Sequence, residues 1–334
     1  MKYVKYALLA LVVALIVTAW SFEPKSHTES AFLLDTYVSV TVFDGEKQAA
    51  KAALSRVEEI DKMFSAFQAD SEISKINQSK AGEAVRVSKE CVALLNKAKK
   101  FSLKTDGAFD ISIKPVMDLW DFGGSPKVPT EEKLLKALAL VDFKNILLDE
   151  EKQTVTLLKE GMAIDLGGIA KGYSADCALE VLKKCGVESA CLDFGGNVVT
   201  LGKKPLGLFD RIRHGKRSVP FTVGIQDPTK PRGTAITKVE ATAPVTCFVT
   251  SGGYERNFSE NGITYHHILD PKTGKQPEND ILSVTVIAPS STTADALSTA
   301  LFVSGEAGVS QVDGLYTEVI FVMKNGDIKR YNER

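Results

Sequence analysis

Asp295 and Thr299 lie four residues apart in Asp295-Ala296-Leu297-Ser298-Thr299, a spacing that puts both side-chain oxygens on one face of a helix. A carboxylate and a hydroxyl, completed by a backbone carbonyl and by the phosphates of a substrate, suit magnesium. An aspartate early in a helix serves equally well as a cap or a salt-bridge partner. The run Asp165-Leu166-Gly167-Gly168-Ile169-Ala170-Lys171-Gly172 leaves a strand, passes through two glycines and opens a helix. Backbone amides at such a helix start, with a lysine beside them, form an anion site suited to phosphate or pyrophosphate, though the loop is not a Walker A sequence. His266 and His267 precede the turn Asp270-Pro271-Lys272-Thr273-Gly274. In a strand at most one of the pair faces a given pocket, either as a general base or as a hydrogen-bonded structural residue. Ser251-Gly252-Gly253 and Gly195-Gly196-Asn197 are turns where backbone can approach a ligand closely. Thr105 to Asp110, followed by Trp120-Asp121-Phe122-Gly123, offers carboxylates and the aromatic faces that a flat heterocycle needs. No Ser-His-Asp order, GxSxG elbow or GxGxxG fingerprint is present.

The elements that must position these residues are readable from periodicity. Residues 32–43 alternate as a strand, and 46–66 repeat apolar residues at helical spacing. A helix spans 87–103 behind the Ser88 cap, and another starts at Thr130. Strands are expected near 146–148, 155–158, 190–193 and 197–201, with a helix over 169–185 between the two pairs. Residues 221–225, 236–250 and 264–269 read as sheet, and 282–288 as a strand leading into a helix at 292–304. The end is a hairpin, 319–322 with 328–331, turning at Asn325-Gly326. Strands and helices mix without a βαβ repeat, which favours an α+β fold. One insertion, 203–217, carries Lys203, Lys204, Arg211, Arg213, His214, Lys216 and Arg217. It reads as a solvated basic hairpin, or as a docking surface for an acidic or membrane-bound partner.

Composition bounds the rest. The chain has 334 residues, 44% hydrophobic and 25% charged, with 41 Lys+Arg against 42 Asp+Glu. These are globular values, and the missing basic excess argues against a nucleic-acid partner. Five scattered cysteines favour neither a disulfide framework nor a zinc site and are expected to stay reduced and buried. Lys2 and Lys5 precede an apolar run, Ala7 to Ala19, the pattern of an export signal or an uncleaved anchor. The flanking lysines would keep the amino terminus cytoplasmic and the domain outside. The expected organisation is a signal or anchor over 1–22, a polar spacer over 23–30 and one catalytic body over 31–334.

Taken in order, several segments resemble the ApbE family of flavin transferases, the FAD:protein FMN transferases. They are Ser65 to Ser74 (SAFQADSEIS), Gly107-Ala108-Phe109-Asp110 through Trp120, the Asp165–Gly172 block, Gly195-Gly196, Thr250-Ser251-Gly252, His267 to Gly274, and Asp295 to Thr299. The resemblance implies magnesium held by Asp295, Thr299 and the Gly168 carbonyl. It implies FAD in contact with Phe67, Ala108, Phe109, Asp110, Asp165, Lys171, Ser251 and the backbone around Leu269, with Leu34 lining the flavin pocket. Its reaction would transfer FMN to a Ser/Thr of an acceptor flavoprotein in a membrane redox complex or an extracellular reductase, releasing AMP. On that chemistry His267 is the expected proton acceptor, and Lys171 with the glycine amides would stabilise pyrophosphate charge. A periplasmic FAD pyrophosphatase and a non-catalytic flavin binder share the same binding residues. Two departures stand out: no lipid-anchor cysteine follows the apolar run, and the 203–217 insertion is longer than the resemblance leads one to expect.

Overall fold

The computed structural model describes Tyr6 and residues 24–43 and 45–333. Eight strands, each antiparallel to its neighbours, form one sheet in the order β1 (Ser26–Leu33), β2 (Thr36–Phe43), β6 (Ala190–Phe194), β7 (Asn197–Leu201), β12 (Val245–Gly252), β15 (Ile281–Ala288), β16 (Glu318–Met323), β17 (Ile328–Asn332). Between β2 and β6 the chain builds a lobe from α1 (Lys47–Phe64), α2 (Glu72–Asn77), β3 (Ala84–Arg86), α3 (Lys89–Lys104), α4 (Lys114–Trp120), α5 (Glu131–Leu138), β4 (Ile146–Asp149), β5 (Thr154–Leu157) and α6 (Ala170–Lys184). The insertion holds β8 (Lys204–Pro205), α7 (Leu208–His214) and β9 (Ser218–Val219). The ribbon β10 (Thr222–Gln226) with β11 (Ala235–Glu240), the hairpin β13 (Asn257–Glu260) with β14 (Ile263–His266), and α8 (Ser291–Ser304) complete the fold.

Three helices cover one face of the sheet. Val38, Val40 and Val42 of β2 bury against Ala50, Ala53 and Val57 of α1 and Ala178, Leu179 and Leu182 of α6. Val284 and Val286 of β15 share a second core with Leu297, Leu301 and Phe302 of α8 and Leu94 and Leu95 of α3. Phe248, Ile287 and Ile320 point to the other face and are covered by Phe221, Ile225 and Ala241 around the β10–β11 ribbon. Because β15 is packed on both faces, seven of its eight residues are buried, the polar Ser283 and Thr285 among them. The α+β expectation agrees with this mixed architecture.

Several local expectations are corrected. Residues 26–30, expected as spacer, form the first part of β1, and the strand expected over 32–43 is a hairpin. Leu34 and Asp35 make its turn with φ of 53° and 55°, the geometry of a two-residue hairpin loop. The 203–217 segment is closed by the antiparallel pair β8–β9, as a hairpin is, but its loop is a short helix. The sheet expected over 236–250 breaks between β11 and β12, and β14 ends at His266, short of 269. All five cysteines are free, but Cys185 is exposed and Cys177 and Cys191 are only partly covered. The apolar run read as signal or anchor lies outside the described residues. Among those described, no helix is long and apolar enough to cross a membrane.

Candidate active site

The site forms at one end of the sheet, where the β1–β2 turn, the β6–β7 turn and the end of β12 meet the starts of α6 and α8. Gly195 and Gly196 close β6 onto β7 with φ of 64° and 98°. A Cβ on Gly195 would stand 2.1 Å from Thr36 Oγ1, so glycine is needed there for space as well as conformation.

Asp295 sits at the centre, 3% exposed. Its Oδ2 accepts from the Gly172 amide at 2.8 Å, and its Oδ1 accepts from Asn197 Nδ2 at 3.1 Å. Lys171 Nζ stands 4.0 Å from Oδ1 and donates to the Gly167 carbonyl at 3.2 Å. Ser251 Oγ lies 2.8 Å from Ser298 Oγ and 3.4 Å from Thr299 Oγ1. A Cβ on Gly168 would lie 3.4 Å from Thr299 Oγ1 and 3.1 Å from the Phe109 ring. Asp295, Thr299, Ser251, Gly168, Lys171 and Phe109 thus lie close together. Among the described residues no three His, Cys, Asp or Glu side chains form a metal cage, so a cation here would draw mainly on hydroxyl and carbonyl oxygens.

The glycine-rich loop is less open than its sequence suggests. Gly167 N donates to Asp165 Oδ1 at 2.6 Å, Ile169 N and Ala170 N to the Leu166 carbonyl, and Gly172 N to Asp295. Four of the loop's amides are thus committed inside the protein. Lys171 is the loop's cation. Asp110 also differs from its reading as an open carboxylate. It accepts from Ser112 N and Oγ and from Phe143 N, and its burial pushes its pKa up against those hydrogen bonds. Trp120 is likewise internal, donating to the Gly274 carbonyl at 2.9 Å. Ala108 and Phe109 are buried beneath the loop, whereas Phe67 is 76% exposed with Lys114 Nζ 5.4 Å from its ring centre. An open cleft of about 450 Å³ borders this segment between Asp106, Gly107, Asp110, Phe143, Lys144 and Lys272.

His267 follows β14, a hairpin pinned through Phe258 and Tyr265 to Trp120 and Phe122 with ring centres 5.3 to 6.3 Å apart. Such aromatic pairs add about 0.5–1.5 kcal/mol each beyond their burial. His267 Nδ1 lies 3.3 Å from the Arg256 carbonyl, which also accepts from the His267 amide at 3.1 Å. Loss of water contact, with the charges of Lys171 and Arg256, holds its pKa down to about 4. Arg256 reaches Asp35 at 3.8 Å, which draws the Leu34–Asp35 turn towards the same side. Leu269 is buried with Val116 and Leu134 in the cluster below.

Asn197, Ser298, Arg256 and Asp176 escape the sequence reading as site residues. Asn197 reads in the sequence only as a turn residue after Gly195-Gly196; its burial, 2% exposed, shows only in the structure. Asp176 accepts from Ser290 Oγ, Ser291 N, Thr292 N and Thr292 Oγ1 at 2.5 to 2.9 Å, tying the first turn of α8 to α6. Asp176→Ala is expected to destabilise the protein by about 2–3 kcal/mol, because it strands donors at a helix start. Urea unfolding measures it, and a change below about 0.5 kcal/mol would show that water replaces the carboxylate.

Fold and site define an α+β protein that gathers one buried carboxylate, one lysine and several hydroxyls at the end of an antiparallel sheet. Residues 34–321 match the ApbE family, and the chain belongs to it. It is 34% identical to the FAD:protein FMN transferase of Treponema pallidum over 84% of this chain and 79% of that one. It is 32% identical to that of Klebsiella pneumoniae over 92% of each. Among solved structures it is similar to the ApbE protein of Thermotoga maritima, with a TM-score of 0.79 and 34% identity over 92% of this chain and 97% of that one. It is also similar to the flavinyl transferase ApbE of Pseudomonas stutzeri, with a TM-score of 0.77 and 27% identity over 94% and 96%.

Proposed function

We propose that this protein is an FAD:protein FMN transferase that moves FMN from FAD to a Ser or Thr hydroxyl of an acceptor protein and releases AMP. The observation that carries the reading is the convergence of Asp295, Thr299, Ser251, Gly168 and Lys171 in a chain of this family. The donor set fits magnesium: hard oxygens from Asp295, Thr299 and the Gly168 carbonyl, with one carboxylate, leave room for substrate phosphates. When bound, magnesium would supply charge neutralisation on the pyrophosphate.

Lys171 adds a fixed positive charge where negative charge gathers as the P–O bond to AMP breaks and the acceptor O–P bond forms. The acceptor proton must leave as that bond forms. With Nδ1 protonated and donating to the Arg256 carbonyl, His267 offers Nε2 as the acceptor. A low pKa keeps that nitrogen unprotonated throughout the neutral range. The acidic limb of kcat/KM, which reports the free enzyme, is therefore expected to fall through about pH 4 and not near 6.5. His267→Gln should remove that limb and lower the rate about 10²-fold; full rate at every pH in that variant would end the role. The same shift makes His267 a source of stability present above pH 6.5 and lost as pH falls towards 4, because the unfolded chain takes up the proton first.

Incubation with FAD, magnesium and an acceptor carrying a Ser/Thr flavinylation motif, followed by mass spectrometry, tests the reaction. An FMN adduct on the acceptor with AMP release is the expected result. Free FMN without adduct would make the protein a pyrophosphatase, and intact FAD would make it a binder. The family's acceptors in membrane redox complexes and extracellular reductases suit an exported protein. We place it outside the cytoplasm on the strength of Lys2, Lys5 and the run Ala7–Ala19.

A further inference from the structure

The 203–217 insertion plays no part in the chemistry above. It carries six Lys and Arg side chains against the single acid Asp210. Lys203, Lys204, Arg213, Lys216 and Arg217 are exposed, and among the described residues none of the six cations has an ion-pair partner. Within it α7 leaves Phe209 71% and Ile212 73% exposed. Three apart on a helix, these two share a face. Large apolar side chains set among unpaired cations match an interfacial lipid contact, where the apolar groups enter the acyl boundary and the cations meet anionic headgroups. An acidic protein surface would satisfy the cations but not the two apolar side chains.

Sheet register places this element. Ser26 pairs with Phe43, Val42 with Ala190, and Ala190 with Leu201, so the start of β1 and the end of β7 lie in one row. Three strand spacings separate them, about 14 Å. The insertion departs from Leu201, with the Lys203 carbonyl accepting from Ser189 Oγ at 2.8 Å. The apolar run Ala7–Ala19 precedes β1 on the sequence by a few residues, so chain from that run enters the fold in the same row. Ser251 lies six residues along β12 from Val245, the partner of Leu201, which puts the active site about 20 Å away at the opposite end.

We propose that the 203–217 insertion is a docking element for an anionic lipid bilayer, seating the sheet end opposite the active site on the membrane and turning the site outward. The inference is independent of the transferase reading and survives or fails without it. The full chain is placed in nanodiscs of phosphatidylglycerol with phosphatidylcholine, or of phosphatidylcholine alone, and amide exchange is followed by mass spectrometry. Amides of 208–217 are expected to exchange at least about fivefold more slowly on the anionic lipid, the effect of even one surface cation, and to lose that protection in high salt. Phe209→Ser with Ile212→Ser, and separately Arg213→Glu with Lys216→Glu, should each abolish the difference. Unchanged exchange elsewhere and unchanged FMN transfer to a soluble acceptor would show that both variants are folded. Equal exchange on the two lipids, protection retained in the charge-reversed variant, or protection appearing only when an acidic protein is added would overturn the proposal.

Discussion

Asp295→Asn is expected to cut FMN transfer at least about a thousandfold while the protein stays folded, corresponding to roughly 4 kcal/mol of transition-state stabilisation. The carboxylate accepts from Gly172 N and Asn197 Nδ2 through different oxygens, and Lys171 stands 4.0 Å away. Asparagine keeps the shape and one accepting oxygen, but sets an NH2 group against another donor and removes the charge that a cation and Lys171 both face. FAD binding, followed by flavin fluorescence, should persist more weakly, and the magnesium concentration for half-maximal rate should rise sharply. Transfer within tenfold of the parent, with unchanged magnesium dependence, would show that Asp295 is a structural cap and not a ligand. Thr299→Val should act in the same direction but less, because a neutral donor is lost.

The second large effect is expected at Gly172→Ala. A Cβ there would stand 2.2 Å from the Ser291 carbonyl oxygen and 2.7 Å from Asp295 Cβ, so the start of α8 cannot remain where it is. Overpacking of this kind costs about 3 kcal/mol. At about 2.1 cal/mol/K of unfolding entropy per residue, that lowers Tm by about 5 °C in a domain of this size. Activity should fall further than stability does, because the backbone that must yield carries Asp295 and Thr299. Differential scanning calorimetry and transfer rates on one preparation separate the two effects. An unchanged Tm would mean that α6 and α8 can part without cost.

What was legible from sequence was local. Apolar spacing gives α1, α3, α6 and α8, and the Asp295–Thr299 interval already puts two oxygens on one helical face. What stayed hidden depends on partners distant in sequence. Asp110 looks like an open carboxylate until Phe143, 33 residues on, claims it, and Trp120 turns inward for a carbonyl 154 residues away. The Gly172 amide looked available because nothing local announces that Asp295, 123 residues on, accepts from it. The Leu34–Asp35 turn was missed because neither residue is the glycine or asparagine that usually marks two positive φ values. The insertion's helix is seven residues long, too short for periodicity to distinguish it from a loop.

The order of strands in the main sheet also dictates when the protein can become active. β2 ends at Phe43 and waits for β6, which begins at Ala190, and β7 waits for β12, which begins at Val245. Pairings this remote impose loop-closure entropy before any contact repays it, so they come late and set a slow folding rate. Chains are made from the amino terminus, and Asp295 and Thr299 are among the last forty residues. A growing chain can assemble its lobe and its first hairpin, yet it holds neither Asp295 nor Thr299 until synthesis is nearly complete. Competence therefore arrives all at once, as a property of the finished polypeptide.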